Sequence, residues 1–342
     1  MEKQRVDWLD ILKFLGIFAI YLGHFAEAAG YAFPFVFRFH LPLFFFCAGC
    51  AEALGREQSV LTVLKKSAVA LLVPFFAFSA LSILVYALEN NCDLIAVCHQ
   101  FYYVALGAVR SHFVAYTLWF LTCLFGMRVL FALLRKLKCN WAILLVCAAL
   151  YAVTSWVFPQ TPDDAPLWPW NVDSALYFLL YYALGFVLFP HLQRFLSADG
   201  HRTRTLRAVA AAAALLYTFA SLFGFDPIER LLGAGAVRPV GLFLCACALI
   251  GGQIVLACLL RRVPLFCRVG GATLYLCGNE YIVRTLAAAL FSLLGWTVTA
   301  ATPLESVLYT LALLAAAYFV LTPLERYIVE PLQRAAGRLL RL

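Results

Sequence analysis

The stretch LDILKFLGIFAIYLGHFAEAA, residues 9–29, decides the class of this protein. It is long enough for a helix to cross the hydrocarbon core of a membrane, which takes about 20 mostly apolar residues. Four ionisable side chains, Asp10, Lys13, His24 and Glu27, nevertheless interrupt its apolar run. We therefore interpret residues 9–29 as a membrane-spanning helix that carries polar groups.

The composition of the whole chain agrees with this interpretation. Of its 342 residues, 64% are hydrophobic and only 13% are charged, whereas an average soluble domain is about half apolar and about a quarter charged. So few charges could not cover a soluble protein of this size, which excludes a cytosolic enzyme, a disordered chain and a secreted disulfide scaffold. The sequence predicts an all-α, polytopic membrane protein.

Ten apolar stretches are long enough to cross a membrane. They are residues 9–29, 34–54, 67–88, 113–134, 140–158, 173–192, 208–225, 239–260, 272–295 and 304–324. With the N-terminus inside, the segments that face the cytoplasm hold nineteen of the 26 Lys and Arg residues. This alternation follows the positive-inside rule and predicts about ten transmembrane helices with both termini cytoplasmic. We treat residues 1–342 as one transmembrane domain, in which residues 325–342 form an amphipathic helix on the inner leaflet.

The charge and the cysteines exclude two other classes of protein. The net charge of +8 does not predict binding to nucleic acid, because the basic residues are spread over six short segments and form no clustered patch. Most of the twelve cysteines lie inside the apolar stretches, where cysteine packs as a small apolar residue. Only Cys92 and Cys98 share an outer segment in which a disulfide could form. We find no metal-binding motif and expect no bound metal.

The first span holds the densest set of ionisable residues. Such residues are costly inside a membrane, so each one is a candidate for function. Lys13 and His24 are eleven residues apart, which places them on one face of a helix, about 16 Å apart along its axis. Asp10 and Glu27 lie within about 60° of that face. The four side chains thus form a polar stripe, which must line a cavity or meet polar partners.

The second span contains Arg38 and His40 in its outer part. If the first two spans are adjacent and antiparallel, His40 lies at a depth similar to that of His24. Two histidines and one arginine at one level can move protons and hold an anionic centre. Pro42 would loosen the helix there and free a carbonyl group.

The ninth span contains Asn279, Glu280 and Arg284. Glu280 and Arg284 are four residues apart and so share one face of a helix. This spacing favours an internal ion pair, but it leaves open a bond from Glu280 to His24 or to a substrate.

Several short motifs, taken in order, resemble those of the type-three acyltransferase family of bacterial membrane proteins. The motifs are Arg5-x4-Asp10-x2-Lys13-x10-His24, residues 39–49 (FHLPLFFFCAG), Lys65-Lys66 with residues 71–74 (LLVP), residues 118–121 (LWFL) and residues 270–276 (GGATLYL). Each motif is weak by itself, whereas the ordered set covers nearly the whole chain and is specific. Two positions depart from the family pattern: Ala48 stands where a Ser is usual, and Glu280 where many members have His.

The resemblance implies an integral membrane O-acyltransferase of the bacterial plasma (inner) membrane. Such an enzyme transfers an acyl group, usually acetyl, from cytoplasmic acyl-coenzyme A to a hydroxyl of a cell-envelope glycan or lipid-linked sugar. The resemblance thus implies acyl-coenzyme A as a co-substrate, a glycan or lipid-linked acceptor, and no bound cofactor.

The resemblance also implies roles for individual residues. His24 would act as a general base on the acceptor hydroxyl or as an acyl carrier, and Arg38 or His40 would stabilise the tetrahedral oxyanion. Glu280 is a third candidate catalytic residue, since it stands at the position of the missing His and would take its role. The phosphates of the donor would meet Lys13 and Arg5. The other predicted binding residues are Asp10, Asn279 and Arg284.

Two other functions fit the same residues. Buried His, Glu and Arg side chains suit a proton-coupled transporter or flippase of a small polar or lipid-linked molecule equally well, although we find none of the matching broken helices in repeated halves that many transporters show. A membrane domain for binding or sensing, without catalysis, is the third possibility.

Overall fold

The structure, a computed structural model, describes residues 6–110, 112–162, 165–296 and 300–342. It is 81% helical, and the described residues contain no β-strand. The predicted all-α class is therefore confirmed. Arg5, which was predicted to bind the donor, lies outside the described residues.

Helices cover each of the ten predicted stretches. They are α1 (Asp7–Gly23), α2 (Ala32–Phe37), α3 (His40–Ala53), α4 (Val60–Ser67), α5 (Val73–Asn90), α6 (Leu94–Ala105), α7 (Trp119–Leu134), α8 (Asn140–Trp156), α9 (Val172–Ser197), α10 (His201–Leu222), α11 (Pro227–Leu232), α12 (Arg238–Leu260), α13 (Pro264–Gly271), α14 (Thr273–Leu293), α15 (Pro303–Ala316) and α16 (Thr322–Leu339). Short 3₁₀ turns lie at Ala26–Ala29, Arg135–Leu137, Pro169–Asn171 and Gly235–Val237. The helix α6 lies in an outer segment for which the sequence predicted no span.

Six helical segments among the described residues are long and apolar enough to cross a membrane. These are Ala32–Ala53, Val60–Asn90, Pro169–Ser197, His201–Leu222, Gly235–Leu260 and Pro303–Leu339. The chain is thus a multi-pass membrane protein. The number of ten spans and the cytoplasmic position of both termini stay predictions.

Two π-helical turns join helices into longer segments. Residues Ala68–Leu72 connect α4 to α5, and residues Ala317–Leu321 connect α15 to α16. The chain is therefore helical from Pro303 to Leu339, over 37 residues, or about 55 Å. The tail that begins at residue 325 thus continues the helix of the tenth predicted span, and its position on the inner leaflet stays a prediction.

The chain divides into two compact units, which we describe separately. Unit 1 comprises residues 1–56, 181–273 and 300–311, and unit 2 comprises residues 57–180, 274–299 and 312–342. Among the described residues, unit 1 contains α1 to α3 and α10 to α13, and unit 2 contains α4 to α8 and nearly all of α14 and α16.

In unit 1, α1 runs antiparallel to α2 and α3. A Cβ atom added at Gly16 would lie 2.8 Å from the side chains of Leu43 and Phe44, whereas one at Gly23 would lie 3.1 Å from the ring of Phe37. The residue numbers on α1 thus rise as those of its neighbours fall. This register fixes the relative depth of the polar groups on the three helices.

Glycines bring the backbones of α3 and α9 into direct contact, also within unit 1. A Cβ at Gly49 would overlap the carbonyl oxygen of Tyr182, and one at Gly185 would overlap the carbonyl oxygen of Phe46. Only small residues allow membrane helices to approach this closely. The crossing holds α3, which begins with His40, in a fixed position against α9.

Unit 2 has its own apolar core. Its buried members are Leu71, Phe75, Phe78, Ile83, Val104, Ala108, Phe113, Ala115, Leu118, Leu121, Tyr275, Tyr281, Ile282 and Val329. The helix α16 is attached by polar contacts as well, since the amide of Gln333 donates to the carbonyl of Val69 in the first π-helical turn at 3.2 Å. The ammonium group of Lys65 donates to the carbonyl of Leu340 at 3.2 Å.

Candidate functional site

The N-terminal half of α1 carries an ion pair. The Lys13 Nζ atom lies 3.2 Å from Asp10 Oδ1, one turn away on the same face. The helix α13 packs directly on this turn, because Gly270 has no Cβ that would overlap the carbonyl oxygen of Asp10. The rings of Phe14 and Phe266 stack beside it, 4.4 Å apart. The turn of α1 that carries Lys13 is thus packed closely against α13.

His24 lies immediately after the last residue of α1. The helix ends at Gly23, earlier than residue 29 where the predicted span ends, and Ala26 adopts a left-handed conformation with φ of 48°. The backbone N–H of His24 donates to the carbonyl of Tyr21 at 3.3 Å. His24 is half-buried, whereas Glu27 is exposed in the following 3₁₀ turn. The polar stripe on α1 therefore ends at His24 and does not include Glu27.

His40 is the first residue of α3 and is 7% exposed. Its ring nitrogen Nδ1 lies 2.8 Å from the carbonyl oxygen of Val36 in α2. A carbonyl oxygen only accepts, so Nδ1 carries the proton of this hydrogen bond. The neutral ring therefore presents Nε2 as a proton acceptor, and the imidazolium ion presents it as a charged donor.

The two histidines lie close to the same depth. Gly16 faces Leu43 and Gly23 faces Phe37, so the register of the helices places His40 opposite residues 19–20 of α1. His24 is therefore four to five residues, or about 7 Å, further along the axis. The ring of Phe37, which packs against Gly23, also contacts the ring of His40 edge-on at 5.0 Å.

Arg38 lies in the break between α2 and α3. Its guanidinium group contacts Glu229 Oε2 at 2.5 Å and Asp226 Oδ2 at 3.5 Å, and it donates to the hydroxyl of Ser221 at 3.1 Å. Neither of these two acids was among the predicted site residues. The cation that was predicted to stabilise an oxyanion is thus engaged by two carboxylates of unit 1.

Asp226, which is 1% exposed, is the centre of this cluster. Burial by itself would raise the pKa of Asp226, but hydrogen bonds from the backbone N–H of Glu229 and from the hydroxyls of Tyr217 and Ser221 hold it below its ordinary value of 3.8. The Tyr217 hydroxyl lies 2.9 Å from the carboxylate. The carboxylate also accepts from the N–H of Ile228 at 3.0 Å and thereby caps α11.

This lowered pKa predicts how stability depends on pH. An ionised Asp226 stabilises the folded state above the pKa of its unfolded form, and this contribution is lost as the pH falls through the folded pKa. We expect Asp226→Asn to lower the unfolding temperature of the purified protein at pH 7. The difference in unfolding temperature between the variant and the wild type should become smaller below pH 3.8. Thermal unfolding of both proteins between pH 7 and pH 3 measures this. A gap of constant size would contradict it.

In unit 2, the residues of the ninth predicted span meet polar partners. The predicted ion pair is formed, with Arg284 Nε 3.4 Å from Glu280 Oε1. Asn279 donates from its amide to Glu325 Oε2 at 2.5 Å, and both side chains are buried. The sequence interpretation missed Glu325, although an acid that directly follows an apolar stretch was a signal for it.

The predicted site residues therefore fall into two sets. Unit 1 contains Asp10, Lys13, His24, Arg38 and His40, and unit 2 contains Asn279, Glu280 and Arg284.

A comparison with protein families gives one match. A family model described as an acyltransferase domain matches residues 6–322. No curated protein and no solved structure matches the chain. The matched region includes every predicted site residue that the structure describes, and it ends before Glu325.

Proposed function

The chain belongs to the type-three acyltransferase family, whose model covers nearly all of it, and from this membership we propose that it transfers an acyl group, namely acetyl, from acyl-coenzyme A to a sugar hydroxyl. The acceptor is a glycan or a lipid-linked sugar of the bacterial cell envelope. The enzyme acts in the plasma (inner) membrane and uses the coenzyme A thioester as a co-substrate.

One observation supports this proposal most directly. The helix α1 carries Lys13 towards one end and His24 directly after the other, about 16 Å apart along the axis. An extended pantetheine arm spans a distance of this order, so phosphates near Lys13 would place the thioester near His24. The ion pair with Asp10 and the packing of α13 keep the ammonium group at a defined position.

The chemistry at His24 is an acyl transfer to oxygen. As a general base, His24 takes the proton of the acceptor hydroxyl while its oxygen attacks the thioester carbonyl. The tetrahedral intermediate then collapses and the carbon–sulfur bond breaks. The thiolate leaves, and the proton taken from the hydroxyl stays on His24. As an acyl carrier, the imidazole would attack the thioester itself and pass the acyl group to the hydroxyl in a second step.

We assign different roles to the two groups of the second span. His40 can stabilise the oxyanion through Nε2 when its ring is protonated, because Nδ1 already donates to Val36. Arg38 is engaged by Glu229 and Asp226, so we assign it to holding the break between α2 and α3. In unit 2, Glu280 remains the proposed third catalytic group, and Asn279 and Arg284 remain proposed substrate contacts.

Release of thiol from acetyl-coenzyme A tests the proposal. The purified full chain is incubated with acetyl-coenzyme A and a panel of lipid-linked sugars, and free thiol and acetylated sugar are measured together. We expect equal amounts of both, with repeated turnover only when donor and acceptor are present. Transport of a panel member by the protein in vesicles, without thiol release, would contradict the proposal and favour the transporter.

A further inference from the structure

The second predicted span is interrupted beside His40, inside an apolar segment. The helix α2 ends at Phe37, α3 begins at His40, and Phe39 has a non-helical backbone with φ of −138° and ψ of −21°. Pro42 favours this break because it has no N–H to donate and its ring displaces the carbonyl four residues earlier. Backbone groups freed inside a membrane need partners within the protein.

At this break, the carbonyl of Val36 accepts from the backbone N–H of Phe39 at 3.3 Å, and His40 adds a side-chain bond to the same oxygen. The Nδ1–H of His40 donates to this carbonyl oxygen, across the break. The direction of the imidazole ring, and therefore of Nε2, depends on where the last turn of α2 lies relative to α3. Any group that fixes the geometry of residues 37–39 thus also fixes His40.

The carboxylate cluster provides such a group. The guanidinium of Arg38, the residue at the break, binds the carboxylates of Asp226 and Glu229. That of Asp226 is itself fixed by the N-terminal N–H groups of α11, and Glu229 belongs to the first turn of this helix. Asp226 is held by backbone and hydroxyl donors, with Cys245 Sγ 3.5 Å away as a further neighbour. A buried ion pair is weak as a source of net stability, but its directional bonds specify geometry, and removal of one partner leaves an uncompensated charge.

We propose that Asp226 and Glu229 are positioning residues, which act through Arg38 to hold the break between α2 and α3 and thereby orient the imidazole of His40. The proposal rests on the proposed function only in assuming that His40 belongs to the catalytic centre. According to this proposal, the segment between α10 and α12 takes part in the reaction without contacting either substrate.

The kinetic test uses the purified full chain with acetyl-coenzyme A and the acceptor that the panel of lipid-linked sugars identifies. We expect Asp226→Asn and Glu229→Gln to lower kcat by about ten- to a hundredfold, since a small misplacement of a catalytic group has effects of this size. The KM for acetyl-coenzyme A should stay within about twofold, because neither residue contacts the donor. Glu229 is half exposed in its pair with Arg38, so its variant should fold even if the Asp226 variant does not.

Two controls separate positioning from a general effect. Asp199→Asn removes a carboxylate from an exposed pair with Arg204 in the same unit, and it should leave kcat unchanged. In a protein that already carries His40→Ala, Asp226→Asn should add no further loss, because the two residues act through one group.

A second measurement needs no substrate. Hydrogen exchange at the imidazole C2 atom, followed by mass spectrometry, reports on each histidine separately. In both carboxylate variants the exchange rate of His40 should differ from the wild-type rate, because the hydrogen bond from its Nδ1 to the carbonyl of Val36 is altered. The rate at His191, which is exposed on α9, should stay as in the wild type.

The outcomes distinguish this proposal from the proposed function. If exchange at His40 is unchanged in both variants, the proposal is overturned, whether or not kcat falls. If exchange at His40 changes but kcat does not, the cluster positions a group that is irrelevant to the reaction, and the proposal is again overturned. If the wild type transfers no acetyl group at all, the proposed function fails, while the exchange experiment still decides whether the cluster holds His40.

Discussion

Replacement of His24 by Gln is expected to lower kcat for acyl transfer by about two to four orders of magnitude, the range for loss of a positioned general acid–base group. Gln retains the approximate size and the hydrogen-bonding capacity of the side chain but cannot take a proton. Since His24 follows the end of α1 and is half-buried, the substitution should leave the fold intact. The rate of thiol release with acceptor present, and the thermal unfolding temperature, measure the two effects.

The matched control is His191→Gln, at an exposed position on α9, which should transfer acetyl at the wild-type rate. A wild-type rate in His24→Gln would remove His24 from the mechanism. Labelled acetyl-coenzyme A without acceptor distinguishes the two roles of His24. If His24 is an acyl carrier, the wild-type protein becomes labelled and the Gln variant does not. If His24 is a general base, neither protein becomes labelled.

The second large effect is expected for Gly270→Ala. The added Cβ would overlap the carbonyl oxygen of Asp10 and lie 3.2 Å from the backbone N of Phe14. Both are main-chain atoms, so no side-chain rotation relieves the overlap, and α13 must move away from α1. Overpacking of this kind typically costs about 1–3 kcal/mol of stability. We expect a lower unfolding temperature of the purified protein and a higher KM for acetyl-coenzyme A, because the turn that holds Lys13 shifts.

The same substitution at Gly251 provides a control of opposite sign. Among the described residues, no atom outside the neighbouring backbone of α12 lies within 4 Å of a Cβ at this position, and Ala is favoured over Gly within a helix by about 0.5–1 kcal/mol. Gly251→Ala should therefore raise the unfolding temperature slightly. The close contact of α1 with α13 would be disproved if Gly270→Ala unfolded at the wild-type temperature or above it.

The features that the sequence predicted correctly are local. Apolar stretches such as residues 239–260 lead to helices at nearly the same bounds, because the length of an apolar run is a property of adjacent residues. The pair of Glu280 and Arg284 was predicted from helix geometry alone, and it forms. The order of short motifs was sufficient to indicate the family, which the match over residues 6–322 confirms.

The features that could not be predicted from the sequence depend on contacts between distant segments. The acidic partners of Arg38 lie more than 180 residues away, and nothing in the pattern around Arg38 points to them. Glu325 was assigned to the amphipathic tail at residues 325–342. Its partner Asn279 belongs to a different helix, so the sequence around Glu325 does not reveal the contact. The early end of α1 at Gly23 was also missed. Pro42 did indicate a weak point in the second span, but its position alone did not show that His40 would bond across the break.

The crossing of α3 and α9 has a consequence for genetics. A side chain introduced at Gly49 meets the backbone carbonyl of Tyr182, and no amino-acid exchange at position 182 shortens a carbonyl group. At Gly278, by contrast, the nearest atoms to an added Cβ belong to the ring of Phe78, at 2.5 Å. A selection for revertants of Gly278→Ala should therefore yield smaller residues at position 78, whereas revertants of Gly49→Ala should restore glycine at position 49 itself.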